Sequence, residues 1–518
     1  MKNLFYLSLV FIVACGTAPI QNENISNSQE QNNNTNQNET VVWLTTSDPI
    51  SMDPHRVGDH PSWNAQAQIF EGLTYFNRNN ELTPLLSESF ELIEPNIWQF
   101  NLRQNIYFTD GFPFDAYSVV LSLNRLLDPQ INSPVAPTLF DMISYIEEVD
   151  NYTVNVHTYF PFEPLPSHLS HMGAYIISPG AIYEENNGGV LVTDNPIGTG
   201  PFILENRIHG DRLYFTRNDN YWNGAVSFEN LIFRTVPETS TRISMLETGE
   251  AHGHQGVSTN IPIYDSLPNL DYFIIVSSSI DYIGFNLKNE YLSNNYLRRA
   301  INAAIDRDAI FFVTERHSTL ATSTASPVVD FAPQGLVLPQ RDLEYARSLL
   351  ANTPWPEGGI TLNYWYNVGN AARGLVGEIL QANLADIGIN IEITAVEWGA
   401  YLASISAGEH DIFNLGWNVV TMDADRAFFG LYHSSNYGAA GNRFWFSNDR
   451  ADYLIDRARR ESNHEQRQLL YNELGELLAY ELPLIPLFHG HNPFPTTGIT
   501  GFFADLRSVP MFHEVVLN

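Results

Sequence analysis

The clearest change of hydrophobic period in the chain falls between Ser278 and Ile310. Ile283, Phe285 and Leu287 alternate with Tyr282, Gly284 and Asn286, the period of a half-buried strand. After a polar connector, Leu297, Ile301, Ala304 and Ile305 recur on one helical face, with Asn294 or Asn295 placed to cap it. A strand that leaves one unit, followed by a helix that opens the next, predicts a crossing between two lobes.

On the N-terminal side the pattern predicts short strands at 41–44, 98–102, 152–156, 202–207, 212–217 and 231–236. It predicts helices at 64–73, 116–127 (capped by Asp115 and stopped by Asp128-Pro129) and 239–248. Past the crossing it becomes β-α-β. Ile360, Leu362, Tyr364 and Tyr366 alternate, and Leu375, Val376, Ile379, Leu380 and Leu384 form a helical stripe. Gly388 stops that helix, and Ile389, Ile391 and Ile393 alternate again. Strands joined by so brief a helical connection should be parallel and right-handed. Helices follow at 398–407, 449–461 and 464–480, with strands at 412–417 and 483–488. The fold class is therefore α/β, and 518 residues are enough for two or three domains.

Charge narrows the partners. Lys+Arg number 26 against 58 Asp+Glu, a net charge of -32. Phosphate binding needs clustered cations, so nucleic acid is not expected as a partner. The acidic excess favours cationic solutes only where it lines a cleft.

The one cysteine, Cys15, excludes an internal disulfide. It follows Lys2, an apolar run from Leu4 to Val13, and Ala14. The segment resembles a bacterial lipoprotein signal with its lipobox. That resemblance implies a leader at 1–14, lipidation of Cys15 and a location in the cell envelope. The apolar run is too short to span a bilayer. From Gly16 to Thr40 the composition is mostly Asn, Gln, Ser, Thr and Glu, which cannot bury enough apolar surface to order itself. With Cys15 it makes a 15–40 tether holding the body roughly 25–30 Å from the membrane on average.

Four groups of motifs keep one order along the chain. They are Phe70-Glu71-Gly72-Leu73 with Leu102–Gly111 and Ala116–Val119; Pro196–Phe202 with Asn218-Asp219-Asn220-Tyr221-Trp222; Phe285-Asn286 with Arg298-Arg299-Ala300 and Asp306-Arg307; and Gly388–Ile391 with Gly416-Trp417. From about residue 41 to 518 the chain resembles the solute-binding proteins of ABC importers that carry oligopeptides, dipeptides and nickel chelates, solute-binding protein family 5. The resemblance implies a two-lobed periplasmic-binding-protein-like clamshell (type II) with an additional inserted domain. It implies a first lobe of 41–75, 195–290 and 495–518, an inserted domain of 76–194, and a second lobe of 291–494. The hinges would lie near 283–287 and 485–491. It implies a peptide ligand held between the lobes, and ABC permease subunits with their ATPase as partners. A metal chelate or other non-peptide solute, or a surface adhesin, is the alternative.

The resemblance also points to site residues. Gly58, Asp59 and His60 would form one wall. Trp398 and Trp417 match pocket tryptophans, and Tyr282 on the crossing strand is a third aromatic candidate. Peptide binders of this group carry an aspartate three residues after the second Trp to meet the peptide α-amine. Here that position is Val420, leaving Asp423 and Asp425 to take the role or to cap the following helix. Arg443 could meet a carboxylate. His252-Gly253-His254 and His489-Gly490-His491 each place two imidazoles on one strand face, yet no metal site and no cofactor is expected. No Gly-x-Ser-x-Gly elbow, Walker A loop or His-Glu-x-x-His run is present, so an enzyme is not expected.

Overall fold

The computed structural model describes residues 39–257, 260–314, 318–337 and 339–518. The leader at 1–14, Cys15 and all but the last two residues of the 15–40 tether lie outside the described residues. The described residues form one compact unit.

Two mixed sheets carry the two lobes. The first has seven strands in the order Asp271–Val276, His491–Thr496, Gly253–His254, Thr40–Thr45, Asn230–Thr235, Arg212–Arg217 and Phe202–Ile208. The second has six, in the order Thr319–Leu320, Leu484–His489, Ser279–Phe285, Ile412–Asn418, Ile360–Asn367 and Ile389–Val396. Ile360–Asn367 and Ile389–Val396 are parallel and joined by helix Ala371–Ala385, as the period switch predicts. Gly388 makes the turn between helix and strand at φ +76, and a Cβ there would stand 2.3 Å from the Glu357 carbonyl oxygen. Only glycine fits that turn.

The strands pass between sheets at two points. Asp271–Val276 belongs to the first sheet and Ser279–Phe285 to the second, so the first crossing is Ser277-Ser278, upstream of the expected 283–287. The period change after Leu287 marks a strand-to-helix switch inside the second lobe. The real crossing joins two apolar strands through a serine run, which a hydrophobic pattern does not resolve. The return crossing is Gly490, between Leu484–His489 and His491–Thr496. The crossings touch, with Ser277 N–H donating to Gly490 O at 2.9 Å.

Residues 87–158 add a four-stranded antiparallel sheet, with helix Ala116–Leu127 packed on it behind an Asp115–Ser118 capping box. The core of this sheet is continuous with that of the first lobe. Two further cores cover the faces of the second sheet, and the neighbours Tyr282 and Ile283 fall on opposite ones.

A buried carboxylate ties three of the sequence motifs together. Glu71 accepts hydrogen bonds from Thr199 Oγ1 at 2.7 Å, Tyr221 OH at 2.7 Å and Trp222 Nε1 at 2.8 Å. Burial raises its pKa to about 7 against those bonds. The helix expected over 64–73 begins earlier and stops at Gln66. The carbonyls beyond it are needed elsewhere: Gln68 O accepts from Phe202 N, and Ile69 O from Gly200 N.

Candidate functional site

The first-lobe wall is built by a cap. Asp59 accepts from Ser62 N at 3.1 Å and Ser62 Oγ at 2.7 Å, and so starts helix His60–Gln66. Gly58 precedes it on the surface, its α-carbon facing Val135. His60 Nε2 donates to Arg507 O at 3.0 Å, and burial holds its pKa below the usual range. The Gly58–His60 loop is thereby clamped to the C-terminal segment, with the Asp59 carboxylate used locally. The same helix presents Trp63 edge-on to His171 of the inserted domain, ring centroids 4.6 Å apart.

The second-lobe wall comes from strand Ile412–Asn418 and helix Ala424–Tyr432. Trp417 lies near the strand's end, against Gly430 and Gly441. A Cβ on Gly441 would sit 2.2 Å from Gly430 O and 3.0 Å from the Trp417 ring, so the indole slot depends on glycine. The Arg426 guanidinium stands over the indole, 4.5 Å from the ring centroid.

The other sequence candidates separate from this pair. Trp398 opens helix Trp398–Ala407, is 48% exposed and neighbours Tyr401. Tyr282 is fully buried in the core between Phe413 and Phe444, its hydroxyl without a partner. Arg443 donates to Ser406 Oγ at 3.2 Å and Ala439 O at 3.3 Å. Among the described residues no carboxylate lies within ion-pair distance of it. The two His-Gly-His runs spend their imidazoles on local bonds: His252 Nδ1 accepts from Val42 N, His254 donates to Gln255 O and His489 to Ser279 O.

Asp423 and Asp425 require a correction. Asp423 caps helix Ala424–Tyr432 and is gripped by both terminal nitrogens of Arg467. Asp425 is buried 3.0 Å from Arg459 Nε and 3.8 Å from His168 Nε2. Burial pushes its pKa up to about 6 against the pull of Arg459. Both acids are consumed inside the protein, so neither is placed to receive a ligand amine. Val420 is 2% exposed and packs into the core shared by the first lobe and the inserted domain.

The inserted domain meets the second lobe here. Ser167 Oγ donates to Thr421 O, and Arg459 Nη2 reaches Asp141 at 3.0 Å. Around the junction, Trp63 Nε1, His171 Nε2, Trp417 Nε1, Thr421 Oγ1, and Arg426 Nε and Nη1 are buried without a hydrogen-bond partner. Burial, with Arg426 and Arg507 close by, holds His171 well below the usual imidazole range. Buried donors are ordinarily satisfied, and these are the atoms that a ligand or water entering the junction would meet. Of these residues the sequence analysis names Trp417; it does not name Trp63, His171 or Arg426. The Asp-Ala-Asp-Arg run held the signal: one arginine beside two acids whose partners lie elsewhere. Two cavities lie apart from this junction. One of about 230 Å³ borders His60, Asn64 and Asn492, and one of about 210 Å³ lies behind the second sheet beside Arg299, Arg307 and Tyr432.

The family model of bacterial extracellular solute-binding proteins, family 5 (middle), matches residues 81–439. The glutathione-binding protein GsiB of Salmonella paratyphi A is 28% identical over 493 residues, 90% of this chain and 94% of that one. The periplasmic binding protein DppA from Helicobacter pylori, solved with the peptide STSA, superposes with a TM-score of 0.83 at 26% identity, covering 93% of this chain and 99% of that one. A dipeptide-binding protein from Pseudoalteromonas sp. SM9913, solved with Met-Leu, gives 0.84 at 21% identity over 93% of this chain and 100% of that one, a likeness of fold.

Proposed function

The chain belongs to the bacterial extracellular solute-binding proteins of family 5, and from that premise we propose that it captures a peptide-like solute between its two lobes and delivers it to the permease of an ABC importer. The observation that carries this reading is the group of unpartnered buried donors where the lobes and inserted domain meet: Trp63, His171, Trp417 and Arg426. A solute placed there would satisfy them and hold the lobes together, which is how a ligand stabilises a hinged closure. The relatives named above bind glutathione or peptides, which supports a peptide-like solute here. Trp417 and Arg426 form the second-lobe face of the site, and the Gly58–His60 loop positions the helix that carries Trp63.

The protein acts without turnover, as a receptor, and the ATPase belongs to partner subunits. It works outside the cytoplasmic membrane, held by a lipid on Cys15. No helix among the described residues is long and apolar enough to cross a membrane. We place the hinge at Ser277-Ser278 and Gly490, with the Ser279–Phe285 strand in the second lobe.

The test is native mass spectrometry of the body from Glu39 to Asn518, purified without refolding. A spread of short-peptide masses in 1:1 complexes supports the reading. A single non-peptide mass, or a bound metal, replaces it.

A further inference from the structure

We infer that the solute is anchored in the interlobe site through an anionic group on Arg426, and that a free α-amine is not what the site reads. This rests on the solute-capture reading above and names the chemistry of that same site.

Trp63 Nε1, Trp417 Nε1, and Arg426 Nε and Nη1 can only donate, and four donors without an acceptor call for an acceptor-rich ligand group. His171 Nδ1 accepts from Gly173 N at 2.9 Å, which leaves the ring proton on Nε2 as a further donor, while Thr421 Oγ1 adapts to either role. The one carboxylate with open oxygens beside this group, Asp425, is buried and its charge is met by Arg459 Nε at 3.0 Å, so no free charge is left there to balance an ammonium.

The nearby acids are already paired. Each already holds an arginine: Asp423 pairs with Arg467, Asp425 with Arg459, and Asp505 with Arg507. Arg426 is left over. Among the described residues no carboxylate lies within ion-pair distance of it. Arg426 is half-buried, with Nε and Nη1 closed off from water; leaving a guanidinium unpaired there is costly, and burial lowers its pKa to about 10. A carboxylate reaching the open Nε and Nη1 would remove that cost and bind a planar fork in two places.

Val420 is buried and apolar, so that position offers a ligand amine no carboxylate. It and the unpaired Arg426 lie on one short stretch of chain, six residues apart in number. This stretch brings the wall an unpaired cation.

The experiment offers the purified protein one hydrolysate of short peptides in three forms: untreated, amine-acetylated, and carboxyl-methylated. Native mass spectrometry reads what is captured. Acetylated peptides should be captured within about twofold of the untreated ones, and methylated ones should fall at least tenfold. The Arg426→Gln protein should lose capture of the untreated mixture while its melting temperature, empty, does not drop, because the change removes an unpaired charge. A merely structural arginine would lower that temperature. Three results overturn the inference: capture of methylated but not acetylated peptides, full capture by Arg426→Gln, or a lower empty melting temperature with affinity kept. No capture from any mixture by the unaltered protein is a different result. It defeats the peptide reading, and the inference falls with it.

Discussion

Arg467 grips Asp423 in a two-pronged pair, with Nη1 2.7 Å from Oδ2 and Nη2 2.7 Å from Oδ1, and both side chains are nearly closed to solvent. Asp423 also caps the helix that carries Arg426. The pair therefore joins helix His464–Glu481 to the segment that forms the second-lobe face of the site. It makes Asp423 a support for Arg426.

Asp423→Asn should thus act on stability before affinity. It leaves the Arg467 guanidinium buried beside a neutral amide, a situation that costs about 3–5 kcal/mol where one partner of a buried pair is removed. Urea unfolding should show a fall of that order. Affinity for a captured peptide, measured where the variant remains folded, should change by less than that of Arg426→Gln. Normal stability with abolished binding would return Asp423 to the role of ligand contact.

Glu71 sets a pH dependence whose sign is fixed by its raised pKa. A carboxyl ordinarily near 4.5 titrates in the folded protein near 7, because burial outweighs the bonds from Trp222, Thr199 and Tyr221. Between those values the folded state holds more protons than the unfolded one, so stability falls as pH rises. Below the window both states are protonated and the penalty is absent. Above it the penalty is complete, about 3 kcal/mol for the full shift. Denaturation midpoints should decline from pH 4.5 to 7, and Glu71→Gln should flatten that decline. The variant should also be weaker at low pH, since its amide donates where three neighbours already donate. An unchanged slope in Glu71→Gln would place the titration elsewhere.

How far the sequence was legible depended on the range of the interaction. The alternation of Tyr282 with Ile283 and Phe285 predicted opposite faces, and these side chains do enter different cores. The Asp115 cap and the stop at Asp128 fixed helix Ala116–Leu127 to the residue, because both signals are local. Glu71 was visible only as part of a motif. Its partners Thr199, Tyr221 and Trp222 lie more than a hundred residues away, and a carboxylate cannot announce which donors will reach it. Asp423 and Asp425 failed for the same reason. Their local spacing allowed either a cap or a ligand contact, and Arg467 and Arg459, arriving from later helices, decided it. The first crossing was misplaced because two apolar strands flank Ser277-Ser278 without a change of period.

Cys15 carries the anchoring proposal, and its test is independent of the site. If the lone cysteine bears the lipid, Cys15→Ala should move essentially all of the protein from the membrane pellet to the soluble fraction. Peptide capture should be unaffected, since the site is built from residues far along the chain. A Cys15→Ala protein that stays with the membrane would require another attachment.

Ionic strength separates what Arg426 does from what the whole chain does. With 58 acidic and 26 basic side chains, the protein repels an anion at long range. Salt shortens that repulsion to a Debye length of about 8 Å at 0.15 M. The contact with a partly buried guanidinium is screened much less. A carboxylate-bearing peptide should therefore associate several-fold faster at 150 mM salt than at 10 mM, while its dissociation rate changes little. Its amidated counterpart should bind weakly at both. Stopped-flow tryptophan fluorescence can follow the reaction, because Trp417 lies directly beneath Arg426. An association rate that falls with salt would mean that the mouth of the cleft is locally positive. The acidic excess would then lie on the outer faces, and Arg426 would be the end of a path that draws anions inward.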